Sequence, residues 1–67
     1  MAKIQLNGKK IKVNQNITIL DLLKKYKLDK FKVAVELNRV IIPKTLYKKK
    51  LIKSNDKLEI VQFIGGG

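Results

Sequence analysis

The chain has 67 residues, of which 45% are hydrophobic, and this length leaves room for one small domain with a single core. It contains no cysteine and no histidine, which excludes disulfide frameworks, cysteine and histidine zinc sites, thiol nucleophiles and histidine-dependent triads. Its longest uninterrupted apolar runs are three residues, far short of the roughly 20 that cross a bilayer. We therefore expect a soluble module without a signal peptide that acts with partners and not at a membrane.

The net charge of +11 is the strongest compositional signal. A basic balance is typical of proteins that bind nucleic acid or an anionic surface. Fifteen of the sixteen basic residues are lysine, however, with Arg39 the exception, and the lysine ammonium lacks the planar fork that reads base edges and phosphates. Two interpretations stay open: a coding bias that also gives solubility, and a charge that serves a partner with an acidic face.

The first predicted element is a β-hairpin. Ile4 and Leu6 alternate with polar residues before Asn7-Gly8, and Ile11 and Val13 alternate with lysines after it. Asn-Gly supplies the positive φ angles that a type I′ turn requires, and each strand has one apolar face. The pattern predicts two antiparallel strands joined by a two-residue turn.

A short helix is predicted to follow. Thr18 and Asp21 have the spacing of a capping box, in which the hydroxyl accepts from an early helical N–H and the carboxylate lies at the positive end of the helix dipole. The apolar residues that follow share one helical face through spacings of three, four and seven, namely Ile19, Leu22, Leu23 and Tyr26. We expect two to three turns.

Two further strands are predicted next, the first with Val33, Val35 and Leu37 on one face. Asn38-Arg39 offers a turn, and residues 40–42 form a short strand that Pro43 ends. Residues 44–53 are irregular, and the apolar side chains expected to anchor this loop are Leu46, Tyr47, Leu51 and Ile52.

The last strand begins in alternation and becomes apolar on both faces. Leu58 and Ile60 share one face, while Val61 and Phe63 share the opposite one. Val61 and Phe63 are therefore either packed by a second layer or available to a partner. The order of elements predicts an α+β fold with a mixed sheet of four to five strands and one main helix packed on one face.

Residues 1–64 are predicted to form this domain, and residues 65–67 a flexible tail of three glycines. Glycine has no Cβ atom, so such a tail is narrow enough to thread where side chains would be blocked. Terminal glycines are also typical of a frayed end with no function. The sequence pattern alone leaves both interpretations open.

Several of these features together resemble one family. They are Leu6-Asn7-Gly8, the helix start at Thr18, Val35-Glu36-Leu37-Asn38, Ile42-Pro43 and the closing Val61-Gln62-Phe63-Ile64-Gly65-Gly66-Gly67. This combination resembles the ThiS family, the sulfur carriers of thiamine biosynthesis. The resemblance implies a β-grasp, ubiquitin-like fold in which the Gly67 carboxylate is the covalent attachment point for sulfur and Gly65 and Gly66 thread into partners.

The resemblance also implies a set of partners. An adenylyltransferase of the ubiquitin-activating type (ThiF-like) would use ATP and Mg²⁺ to adenylate Gly67. A sulfur-relay protein with a persulfide would then supply the sulfur, and a thiazole synthase (ThiG-like) would receive it. Val61 and Phe63 are candidate docking residues. The resemblance implies that the chain itself binds no cofactor. We also expect no metal site, because its five acidic residues are scattered without ligand spacing.

Rival functions share parts of this pattern. Terminal Gly-Gly also occurs in the sulfur carrier of molybdopterin synthase and in ubiquitin-like protein modifiers. A basic β-grasp module that binds RNA is a further alternative, although two Phe and two Tyr offer few stacking platforms. The expected compartment is the cytoplasm, or the plastid stroma if the chain is encoded in an organelle.

Overall fold

The structure is a computed structural model that describes residues 1–63. The predicted domain end at Ile64 and the predicted tail, residues 65–67, lie outside the described residues. Within that range the elements are β1 (Ala2–Leu6), β2 (Lys9–Val13), α1 (Ile19–Lys25), β3 (Val33–Leu37), β4 (Val40–Ile41) and β5 (Lys57–Gln62), with short 3₁₀ turns at Lys30–Lys32 and Lys44–Leu46. The predicted order of strands and helix is confirmed.

The strands of residues 1–63 form one mixed sheet in the order β2-β1-β5-β3-β4. β5 pairs parallel with β1 and antiparallel with β3, so the last strand lies in the middle of the sheet. The helix and the loop after β4 cover one face, and between them lies a core formed by Ala2, Ile4, Val13, Ile19, Leu22, Leu23, Val33, Val35, Leu37, Ile42, Tyr47, Ile52, Leu58 and Ile60. The predicted α+β, β-grasp fold class is confirmed.

Two tight turns set the register of the outer strands. Asn7 and Gly8 both have positive φ, 51° and 82°, and place Leu6 directly opposite Lys9. Asn38 and Arg39 also have positive φ, 52° and 71°, between β3 and β4. Both predicted hairpins are therefore confirmed. Two-residue turns with positive φ angles are favoured here because they match the twist of the strands that they join.

The helix begins with the predicted capping box. The Asp21 N–H donates to the Thr18 hydroxyl oxygen at 3.0 Å, and the Thr18 N–H donates to the Asp21 carboxylate at 3.0 Å. Ile19, Leu22 and Leu23 are fully buried. Tyr26, predicted on the same face, is 43% exposed, because the helix ends at Lys25 and Tyr26 is its C-cap, so the apolar stripe stops at Leu23.

The irregular segment after β4 packs differently from the prediction. Tyr47 and Ile52 are buried as expected, whereas Leu46 and Leu51 are exposed. Backbone hydrogen bonds explain the difference, since Leu20 donates to the Tyr47 carbonyl at 2.9 Å and Ile52 to the Ile17 carbonyl at 2.8 Å. These bonds fix the segment against the start of the helix and leave Tyr47 and Ile52 turned inward, with Leu46 and Leu51 turned outward.

Within residues 1–63, no helix is long and apolar enough to span a membrane.

One side chain fastens the central strand to the first hairpin. The Asn7 amide donates to the Ile60 carbonyl at 3.2 Å and accepts from the Ile60 N–H at 2.8 Å. The parallel ladder between β1 and β5 pairs residues only as far as Leu6 with Leu58. The Asn7 side chain therefore takes the place of the backbone partners that Ile60 would find if β1 continued.

We expect Asn7→Gly to lower the free energy of unfolding by about 1 to 2 kcal/mol, because it removes both hydrogen bonds and keeps the positive φ. Urea unfolding followed by circular dichroism measures this change. Asn16→Gly is the matched control, since Asn16 has a φ of 63° and an exposed side chain. Equal stability of the two variants would contradict the role assigned to Asn7.

The capping box predicts a pH dependence. Hydrogen bonds from Thr18, first from its backbone N–H, hold the pKa of Asp21 below its ordinary value of 3.8. A lowered folded pKa means that Asp21 contributes stability above the unfolded pKa and loses it as the pH falls through the folded pKa. Urea titrations should show Asp21→Asn less stable than the parent at about pH 6, with the gap closing below about pH 3.8. A gap of constant size would contradict this.

Candidate functional site

The predicted site lies where β5 leads towards the glycines. Gly65, Gly66 and Gly67 are outside the described residues, so the part of the site open to geometric description is the end of β5 and its surroundings. β5 is the central strand, and its last rungs pair Val33 with Gln62 and Ala34 with Val61. The Phe63 N–H then donates to the Lys32 carbonyl at 2.9 Å. The backbone of β5 is thus hydrogen-bonded to β3 and to the residue before it as far as Phe63.

Val61 and Phe63 point away from the core. Leu58 and Ile60 are buried, whereas Val61 is 57% exposed and Phe63 is 52% exposed. The sequence left open whether a second layer packs on these two side chains. Among residues 1–63 no element covers that face, so Val61 and Phe63 present apolar surface to solvent.

Neighbouring strands extend this surface. On β3, Ala34 lies directly opposite Val61. On β4, Ile41 lies opposite Glu36 of β3 and is 72% exposed. Alternation puts these side chains on the uncovered face of the sheet, called here the open face. We call Ala34, Ile41, Val61 and Phe63 the apolar patch. Sequence reasoning missed Ala34 and Ile41, although both are apolar residues at positions that alternation turns away from the core.

A lysine side chain lies beside the apolar patch at the end of β5. The Lys44 ammonium lies 5.8 Å from the centre of the Phe63 ring and donates to the Val33 carbonyl at 3.3 Å. A cation over an aromatic face is attracted by the ring quadrupole. The surroundings of Phe63 are therefore both apolar and cationic, and an incoming group that is apolar or negatively charged fits them.

The acidic residues of the described part of the chain are dispersed, and most of them serve the local backbone. No group of three or more potential metal-ligating side chains occurs among residues 1–63. Three of the five acidic residues serve the local backbone: Asp21 caps the helix, Asp29 accepts from the Phe31 N–H and Asp56 accepts from the Lys53 N–H. What this region can supply is a docking surface.

Comparison with known proteins identifies the family. The model of the ThiS family matches residues 2–67. The chain belongs to the ThiS family. The resemblance found in the sequence is therefore confirmed, and the matched range includes Gly65, Gly66 and Gly67.

Individual relatives agree with this assignment. The chain is 45% identical over 65 residues to the sulfur carrier protein ThiS of Bacillus subtilis, covering 96% of this chain and 98% of that protein. It is also 43% identical over 65 residues to a thiazole synthase of Paramagnetospirillum magneticum, covering 97% of this chain but only 20% of that protein. The chain thus spans about a fifth of that relative.

A solved structure shares the fold. The crystal structure of the thiamine biosynthesis protein ThiS from Geobacter metallireducens matches with a TM-score of 0.82 and 28% sequence identity, over 97% of this chain and 99% of that one. The mixed sheet with one helix is therefore shared with a solved member of the ThiS family.

We expect Phe63→Ala to weaken the complex with the adenylyltransferase that the family resemblance implies, by on the order of 1 to 2 kcal/mol. The loss of unfolding free energy should stay well below the about 3 to 5 kcal/mol typical of a buried Phe, because half of the ring is exposed. Isothermal titration beside urea melts separates the two effects.

Tyr26→Ala is the control for this prediction, since Tyr26 is a half-exposed aromatic residue at the end of the helix, on the other side of the sheet. It should leave the complex unchanged. A Phe63→Ala variant that binds as tightly as the parent would remove Phe63 from the docking surface.

Proposed function

We propose that this chain is a sulfur carrier of thiamine biosynthesis that holds sulfur as a thiocarboxylate at Gly67. The observation that carries the proposal is the family match over residues 2–67, which joins the described fold to the three glycines. The sulfur carrier of Bacillus subtilis, similar over nearly its whole length, supports the same function. The family match favours this function over the molybdopterin carrier, the protein modifier and the RNA-binding module.

The chemistry begins with activation of a carboxylate. A carboxylate is a poor electrophile because oxide would have to leave, so an oxygen of Gly67 attacks the α-phosphorus of ATP and pyrophosphate departs. The terminal sulfur of a protein persulfide then attacks the acyl carbon and AMP leaves. A thiol that reduces the resulting acyl disulfide releases the thiocarboxylate. ATP and Mg²⁺ belong to the activating partner, and the chain is a co-substrate and not an enzyme.

The contribution of this chain is presentation of its C-terminus. An adenylation site must bring the carboxylate and the phosphorus to about 3 to 3.5 Å, and side chains near the terminus would obstruct a narrow channel. Gly65 and Gly66 have none. Val61 and Phe63, which are exposed at the end of the central strand, would contact the partner outside that channel.

A thiazole synthase is the proposed recipient of the sulfur. One relative that is itself called thiazole synthase contains a segment similar to nearly the whole of this chain, and this supports an exchange between carrier and synthase. We further propose a ThiF-like adenylyltransferase and a persulfide relay protein as the earlier partners. We assign the exchange to the cytoplasm, or to the plastid stroma for an organelle-encoded chain.

Removing Gly67, or adding one residue after it, should abolish ATP–pyrophosphate exchange by the cognate activating enzyme. The physical reason is that one residue shifts the carboxylate by about 3.3 Å, which exceeds the tolerance of a reacting geometry. Circular dichroism should show an unchanged fold for both variants. Exchange at the parent rate with either variant would contradict the proposal.

A further inference from the structure

Four lysines gather on the open face, on the half of the sheet formed by β2 and β1. Lys3 lies directly opposite Lys12, and Gln5 lies opposite both Lys10 on one side and Lys57 on the other. All four lysine side chains are exposed. Directly opposite residues have Cβ atoms about 5 Å apart and share a face. We call Lys3, Lys10, Lys12 and Lys57 the lysine patch.

The lysine patch does not help the sheet to form. Like charges directly opposite on neighbouring strands destabilise a sheet, and Lys3 and Lys12 are such a pair. Neither β1 nor β2 contains an acidic residue. Asp21, Asp29 and Asp56 are bonded to backbone N–H groups, while Glu36 and Glu59 lie opposite each other on β3 and β5.

Two shallow depressions lie at the patch. One depression of about 240 Å³ is lined by Lys3, Lys10, Ile11 and Lys12. A second depression, of about 290 Å³, is lined by Lys3, Ile4, Gln5, Lys10, Asn55 and Lys57. Lysine ammoniums around shallow depressions can receive protruding carboxylate side chains, each of which neutralises charge that the strands themselves leave unpaired.

The lysine patch lies on the same face as the apolar patch. Lys57, Glu59, Val61 and Phe63 occupy the alternating outward positions of the chain along and just beyond β5, and Glu36 lies opposite Glu59, so this acidic pair lies between the two patches. A strand rises about 3.3 Å per residue, so Lys57 and Phe63 are about 20 Å apart. A standard interface covers about 800 Å² of each partner, a surface roughly 30 Å across. A protein that takes up the tail and contacts Phe63 therefore reaches Lys57, at the near edge of the lysine patch.

We propose that the lysine patch docks onto a carboxylate-rich region of the activating enzyme, beside the channel that receives the tail. This inference rests on the proposed function and adds to it the chemistry and the location of the contact. The patch contains no arginine and no aromatic side chain, so it lacks the groups that clamp phosphates and stack bases. A protein surface with Asp and Glu side chains fits it better than a nucleic acid.

The test compares two variants that each lose four positive charges and so carry the same net charge. One has Lys3, Lys10, Lys12 and Lys57 replaced by Gln. The control has Gln at Lys27, Lys48, Lys49 and Lys50, which are exposed and lie outside the open face. Stopped-flow binding to the cognate activating enzyme, without ATP, gives the association and dissociation rates at each salt concentration.

We expect the patch variant to associate about tenfold more slowly than the parent at about 0.05 M salt, and to lose most of the salt dependence of that rate. Dissociation should change little, since the apolar patch and tail govern it. The control should stay within about twofold of the parent. Thermal melts should show the patch variant at least as stable as the parent, because the repulsion between Lys3 and Lys12 is gone.

Other outcomes would overturn the inference. Equal slowing of both variants would mean that net charge and not the patch matters, and no slowing of either would mean that the patch does not dock onto the activating enzyme. Tighter binding of the parent to a 20-nucleotide RNA than to the enzyme, at about 0.15 M salt, would assign the patch to nucleic acid. Because binding is measured without ATP, slow association of the patch variant together with no adenylation of the parent would refute the proposed function alone.

Discussion

The central position of β5 is the constraint on which the rest of the structure depends. The last strand lies between β1 and β3, so the core closes only after the C-terminal part of the chain has returned to the middle of the sheet. The same strand leads towards Gly67. The contacts that hold β5 in place, such as the hydrogen bonds of the Asn7 side chain to Ile60, therefore also fix the strand that precedes the glycines in the sequence.

Elements whose causes lie within a few residues were predictable from sequence. Asn7-Gly8 and Asn38-Arg39 specify tight turns through their positive φ angles, and Thr18 with Asp21 specifies the start of a helix. What alternation could not decide depends on distant contacts. From the sequence, Leu46 and Leu51 were expected to be buried, but both are exposed. Backbone hydrogen bonds to the start of the helix determine which side chains of that segment turn inward.

The candidate site, too, could be predicted from the sequence only in part. The tail glycines and their proposed role came from resemblance to a family, since their sequence alone fits a frayed end equally well. The exposure of Val61 and Phe63 was left open by sequence and follows from the sheet having one uncovered face. The lysine patch was invisible in the sequence because it exists only through the pairing of β1 with β2 and β5. The open face thus carries an apolar region at the end of β5 and a cationic region at its start, with Glu36 and Glu59 between them.

The central claim is that Gly67 carries sulfur, and the mass of the chain tests it most directly. The chain should be isolated from its native host grown without thiamine and weighed intact by mass spectrometry. Replacement of one carboxylate oxygen by sulfur adds about 16 Da, and fragmentation should confine this gain to the C-terminal peptide. Finding only the unmodified mass under thiamine starvation, or finding the gain in another peptide, would contradict the claim.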